Sequence, residues 1–183
     1  LTASDADIHT PYGATEALPV AVISGRNIVS STASRSATGA GTCVGTLFPE
    51  IDVRIARIDD EPVKSFSDLE LLPLGDIGEI IVRGPSVTKR YFQRSQATAL
   101  AKVTDGDTTW HRMGDVGYLD AEGRLWFCGR KAHRVETDSG TLFSVPCEAI
   151  FNQHSAVRRS ALVGIGERPH QRPAIVVECH DPR

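Results

Sequence analysis

The chain has 183 residues, 40% of them apolar, enough to bury a core in one domain or slightly more. Its net charge of −3 excludes the basic footprint of a nucleic-acid binder. No apolar stretch approaches the roughly 20 residues that a membrane-spanning helix needs.

The opening residues, Leu1 to Thr10, lack a methionine and the charged and apolar regions of a secretory signal. The sequence therefore reads as a piece of a longer protein. Next comes Tyr12-Gly-Ala-Thr-Glu16, between a proline and an apolar run. Tyr12 offers a π face, Gly13 a permissive backbone, Thr15 a hydroxyl and Glu16 a carboxylate, one group for each part of a nucleotide and its metal ion. Gly39-Ala-Gly-Thr-Cys-Val-Gly45 invites comparison with a phosphate loop. It lacks the Lys-Ser/Thr ending and is followed by strand pattern, so it reads as a loop leading into Ile51–Ile58. There, Ile51, Val53 and Ile55 alternate as on a half-buried strand.

Glu79–Arg83 is a second short strand, bounded by Gly78 and by Gly84-Pro85. A helix is expected over roughly Ser95–Lys102. Val116–Leu119 and Leu125–Cys128 flank Asp120-Ala-Glu-Gly123, which is hairpin chemistry. A second helix opens at Pro146 and runs to about Asn152. Ala161–Val163 and Ala174–Val177 are further strands. The texture is mostly β over 40–130 and mixed over 131–183, which suggests a boundary near residue 130.

Cysteines stand at 43, 128, 147 and 179 with no Cys-x-x-Cys spacing. Buried free thiols in a reducing cytoplasm are expected, Cys128 and Cys147 lying in apolar stretches. The six histidines show no zinc spacing. Asp115, after a glycine at the start of a strand, has two readings. It can accept two hydroxyl groups of a ribose diol, or it can cap local turn amides. Arg130, at the end of the hairpin, can grip ribose or phosphate oxygens or simply face solvent.

Taken in order, Tyr12-Gly-Ala-Thr-Glu16, Gly78-Glu-Ile-Ile-Val-Arg-Gly84, Arg112-Met-Gly-Asp115, Gly117-Tyr-Leu-Asp120 and Gly129-Arg-Lys131 resemble the later part of an AMP-forming adenylating enzyme. That superfamily holds acyl-CoA synthetases, peptide-synthetase adenylation domains and luciferase, and the resemblance covers essentially the whole chain. It implies a mixed α/β (α+β) fragment. Residues 1–130 would be the C-terminal part of the large AMP-binding domain, with 1–30 ending an α/β subdomain and 40–130 forming a distorted β-barrel. Residues 131–183 would begin the mobile C-terminal domain.

The same resemblance implies ATP and magnesium as the groups bound. Tyr12 would lie against adenine with Gly13 leaving room, Thr15 would bond the α-phosphate, and Glu16 would hold the metal. Asp115 would bind the ribose hydroxyls, Phe127 would pack near the sugar, and Arg130 would touch ribose or phosphate. Thr15, Glu16 and Arg130 are the residues nearest the chemistry. The family's phosphate-loop lysine and catalytic lysine are expected before Leu1 and after Arg183, so this stretch alone is expected not to adenylate.

Within the superfamily, Thr10–Pro19, Gly129–Val135 and Val145–Phe151 resemble the β-lactone synthetases of bacterial long-chain olefin biosynthesis. These use a small-molecule fatty-acid substrate in the cytoplasm; assembly with other pathway enzymes stays open. Ala132 stands where the family often has Asp or Lys, and Glu136–Gly140 and Val145–Glu148 depart from the usual coenzyme A region. An ordinary long-chain acyl-CoA ligase and a non-catalytic binding module are the competing readings. Arg90 replaces a usual glycine. The apolar run Leu18–Ile23 is expected to be exposed and to drive self-association of the isolated piece.

Overall fold

The computed structural model describes residues 6–180. Strands β1 (His9–Ala14), β2 (Ala17–Ser24), β3 (Thr42–Leu47), β4 (Asp52–Ala56), β5 (Gly78–Arg83), β6 (Lys102–Asp105), β7 (Thr108–Leu119) and β8 (Arg124–Arg130) form one antiparallel sheet. Its path is β1-β2-β3-β8-β7-β5-β4, with β6 on β7. Alternation places Val53 and Ile55 inward on β4, while β5 is buried on both faces.

The sheet coils upon itself. The Tyr12 side chain of β1 reaches Asp115 of β7 at 2.7 Å, although four strand steps separate them along the path. A flat sheet would hold such strands about 19 Å apart, at roughly 4.8 Å per step. Coiling brings the two strands within reach of each other.

Helical turns α1 (Gly25–Asn27), a π-helical stretch (Ile28–Thr32) and α2 (Ala33–Ala37) join β2 to β3. Ser24 caps the first, accepting from the Asn27 amide at 3.1 Å. Helix α3 (Ser95–Ala101) precedes β6. After β8 come the small ribbons β9 (Val135–Thr137) with β10 (Gly140–Leu142), and β11 (Val157–Ile165) with β12 (Arg172–Cys179), and helix α4 (Ser144–Phe151) between them. Helix α4 opens two residues before Pro146, which its first turn tolerates because the amides there have no helical partner. No helix among the described residues is long and apolar enough to cross a membrane.

Three expectations need correction. Thr42–Leu47, read as part of a loop, is a strand paired with β2 and β8. Of the run Leu18–Ile23, only Leu18 is strongly exposed; Val20 and Ala21 are buried in a core with Val53, Ile80 and Leu125, and Ile23 is buried in one with Cys43 and Trp126. All four cysteines are free, but only Cys43 and Cys128 are buried, while Cys147 is half-buried and Cys179 exposed on the outer ribbon. Nothing in the structure explains Arg90 where the family has glycine.

Candidate nucleotide site

The site begins in the β1–β2 hairpin. Register shifts between the pairs Tyr12–Ala21 and Ala14–Ala17, where the single residue Gly13 of β1 faces Leu18, Pro19 and Val20, so β2 bulges against it. A Cβ there would stand 2.6 Å from the Ala17 carbonyl oxygen and 2.7 Å from a Leu18 methyl, so only glycine lets the turn fold back this tightly. The room left at Gly13 is filled by the hairpin itself. The turn thereby puts Thr15 and Glu16 at the rim of a cleft of about 540 Å³.

The opposite wall comes from β7. Asp115 lies within this twelve-residue strand, not at its start or in a turn. Between the pairs Glu79–Val116 and Ile81–Arg112, β5 has one residue and β7 has three, Met113, Gly114 and Asp115. This bulge needs a left-handed residue, which Gly114 supplies at φ 65°. It re-aims Asp115 out of the regular pleat.

Asp115 is then held from two sides. The Tyr12 hydroxyl donates to its Oδ2 at 2.7 Å, and Arg130 Nη1 donates to its Oδ1 at 2.8 Å. Burial outweighs both donors and raises the Asp115 pKa above its ordinary value. Burial, and then the neighbouring Asp115 charge, push the Tyr12 phenol far above its usual range, so it remains a neutral donor. The Phe127 ring lies 6.1 Å from that of Tyr12, tilted by 45°. The coiled sheet thus brings Tyr12, Asp115, Phe127 and Arg130 into one cluster, with Gly13, Thr15 and Glu16 on the adjoining cleft. A carboxylate has about four acceptor positions, so Asp115 retains capacity for two further hydroxyl groups.

Several groups of the cleft escaped the sequence reading. Glu79 and Arg112 form a buried ion pair in its floor, Nη2 to Oε2 at 2.6 Å. Lys131 Nζ lies 3.0 Å from Glu79 Oε1, an ion pair by distance that lacks hydrogen-bond alignment, leaving that oxygen otherwise unpartnered. A lone glutamate in the otherwise apolar Gly78–Val82 was the available signal, because such a side chain is buried only with a cation. Tyr91 donates to Glu16 Oε1 at 2.6 Å, and this hydrogen bond, more than any other influence, holds the Glu16 carboxyl below its usual range. His111 also lines the cleft, its pKa lowered by burial and then by nearby Lys102.

Lys102 is buried beside this cleft, and desolvation lowers its pKa from 10.5 to about 8. Between those values the unfolded chain binds more protons than the folded one, so this residue's contribution to stability rises with pH across that window. Below pH 8 the full penalty of the buried ammonium is present. Replacing Lys102 by methionine is therefore expected to favour the variant most below pH 8. That relative advantage should shrink as pH climbs towards 10.5, which urea denaturation at a series of pH values checks.

Among the described residues no group of three or more His, Cys, Asp or Glu side chains is placed to hold a metal ion. Glu16 alone suits magnesium bound with a polyphosphate, since that ion commonly takes one or two protein carboxylates and completes its shell with phosphate oxygens and water.

No family model matches the chain. An olefin beta-lactone synthetase of Xanthomonas campestris pv. campestris is 52% identical over 185 residues, covering 97% of this chain and 33% of the relative. An indoleacetate–CoA ligase of Aromatoleum aromaticum is 33% identical over 153 residues, covering 84% of this chain and 26% of its own length. The structure of the o-succinylbenzoate coenzyme A synthetase of Bacillus subtilis, solved with ATP and magnesium, superposes with a TM-score of 0.73 at 23% identity, over 96% of this chain and 32% of that one. The chain belongs to the AMP-forming adenylating enzymes. Within them its sequence is similar to the olefin beta-lactone synthetases, and it spans about a third of the length of those relatives.

Proposed function

We propose that the chain is the nucleotide-anchoring third of an enzyme that activates a fatty-acid carboxylate with ATP and closes a 2-alkyl-3-hydroxy acid into a β-lactone. The observation that carries the nucleotide part is the Tyr12–Asp115–Arg130 cluster beside a cleft edged by Thr15 and Glu16. The 52% identity to an olefin beta-lactone synthetase supports the ring-closing part.

In this reading the substrate carboxylate attacks the α-phosphorus of ATP and pyrophosphate departs. The substrate's own 3-hydroxyl then attacks the acyl carbonyl, losing its proton as AMP leaves and the four-membered ring closes. Asp115 receives the ribose hydroxyls, and Arg130, already paired with it, contacts ribose or phosphate oxygens. Tyr12 lies against the adenine with Phe127 packing near the sugar, and Thr15 donates to the α-phosphate. Magnesium, held by Glu16, neutralises phosphate charge when bound. The chain's own contribution is positioning and charge stabilisation. An internal nucleophile requires no coenzyme A channel, in keeping with the departures at Ala132 and Glu136–Gly140.

We read residues 1–130 as the end of the large domain and 131–183 as the start of the C-terminal domain. β8 is the last strand in chain order to join the large sheet, and this and the small separate ribbons after it support that division. A cytoplasmic setting accords with four free thiols.

The test uses the full-length protein with ATP, magnesium and a 2-alkyl-3-hydroxy fatty acid, without coenzyme A. Mass spectrometry should find a product one water lighter than the acid, together with AMP. If product forms only after coenzyme A is added, the enzyme is a thioester-forming ligase.

A further inference from the structure

Glu16 sits half-buried on a turn, held by the loop after β5 and, through that loop, by the start of β6. Tyr91 donates its hydroxyl to Oε1 at 2.6 Å, and the Thr88 amide donates to the Glu16 carbonyl oxygen at 2.8 Å. Lys102 closes the circuit: its ammonium donates to the Thr88 hydroxyl at 3.0 Å and lies 5.9 Å from the centre of the Tyr91 ring. Tyr91 is itself fixed, because its amide donates to Thr98 Oγ1 at 3.1 Å and that hydroxyl donates to the Arg94 carbonyl at 2.8 Å. Gln93, in the left-handed region at φ 51°, turns the chain so that Phe92 faces outward while Tyr91 faces the cleft.

We propose that Tyr91 is a positioning residue that occupies one carboxylate oxygen of Glu16 and so presents the other to a nucleotide-bound divalent cation as a single, oriented ligand. The proposal rests on the reading of Glu16 as the metal-holding residue. A free glutamate on a turn samples several rotamers and can offer one oxygen or both. The hydrogen bond to Tyr91 removes that freedom, and no other side chain among the described residues donates to Glu16. A tyrosine hydroxyl is a neutral donor near neutral pH. A short, charge-assisted bond of this kind orients more strongly than a neutral one.

The experiment compares full-length wild type with Tyr91→Phe and Glu16→Gln. ATP binding is measured by calorimetry with magnesium and with chelator, and manganese binding by electron paramagnetic resonance with ATP present. Tyr91→Phe keeps the ring over Lys102 and removes only the hydroxyl. It should weaken manganese binding about tenfold, the size of one hydrogen bond to a charged acceptor, while chelated ATP binds as in wild type. Glu16→Gln should weaken manganese binding more.

If Glu16→Gln shows its loss and Tyr91→Phe stays within twofold of wild type, Tyr91 does not position the carboxylate. If neither variant loses metal affinity, Glu16 is not the metal-holding residue and the inference falls with it. A Tyr91→Phe protein that loses thermal stability and chelated-ATP binding together has a structural tyrosine, which also overturns the proposal.

Discussion

Asp115→Asn is expected to lower kcat/KM for ATP in the full-length enzyme by roughly 10² to 10⁴, while the folded protein melts no lower than wild type at neutral pH. The activity loss follows from acceptor count. Asparagine offers one oxygen where aspartate offers two and carries no charge, so in the proposed role two ribose hydroxyls would lose charge-assisted partners. The stability expectation follows from the direction of the pKa shift. Burial raises Asp115 above 3.8, so between 3.8 and its folded value the native state binds more protons than the unfolded chain, and stability falls as pH rises through that window. At neutral pH the ionised carboxylate is a net cost, one that asparagine does not carry.

Tyr12 keeps an acceptor in the variant, and Arg130, 59% exposed, turns to water at little cost. Steady-state kinetics and thermal melting on the same preparations check both halves. Wild-type kinetics in Asp115→Asn would show that the carboxylate only braces Tyr12 and Arg130. A melting point below wild type would mean that the Arg130 pair outweighs desolvation.

The elements legible in the sequence were those whose pattern survives locally. Alternation at Ile51–Ile55 found β4, the turn chemistry of Asp120–Gly123 found the β7–β8 hairpin, and the helix after Ser144 betrayed itself by its proline. The Asp120 carboxylate accepts the Glu122 and Arg124 amides at 3.1 and 2.9 Å, as a turn aspartate should. β3 was hidden because Gly41 and Gly45, both with positive φ, make its sequence resemble a loop. The helical stretch from Gly25 to Ala37 was hidden because Ile28, Val29 and Thr32 are poor helix formers. It is held by back-bonds such as Ser31 to the Asn27 carbonyl at 2.8 Å.

The site shows a similar division. Ordered motifs singled out Tyr12, Asp115 and Arg130 as candidates, but no motif states that a phenol and a guanidinium share one carboxylate. That geometry depends on how far the sheet coils and on the β7 bulge at Gly114, both non-local. Tyr91 was invisible for the same reason, since 75 residues separate it from Glu16.

The largest stability effect is expected at Arg112. Its guanidinium and the Glu79 carboxylate are each 2% exposed. Nε and Nη2 donate to Glu79 Oε2, Nη1 donates to the Glu61 carbonyl at 2.7 Å and the Leu100 carbonyl at 3.3 Å, and Nη2 also reaches the Asp59 carbonyl. One side chain thus ties β5, the loop after β4 and the end of α3 to β7. Arg112→Met leaves Glu79 with Lys131 alone and strips three carbonyl groups of a donor. The expected cost is about 3–5 kcal/mol, the usual penalty for removing one partner of a buried pair.

Adding Glu79→Leu should recover part of that loss, because the stranded charge disappears. It should not recover all, since the carbonyls of Asp59, Glu61 and Leu100 still lack Arg112. Urea denaturation of the full-length single and double variants measures the coupling as a double-mutant cycle. Hydrogen exchange should accelerate first in residues 57–64, the loop that hangs on Arg112. Full recovery in the double variant would place the whole cost in the ion pair. A loss under 1 kcal/mol in Arg112→Met, against the range expected for a buried pair, would mean that water enters the cleft floor and solvates Glu79.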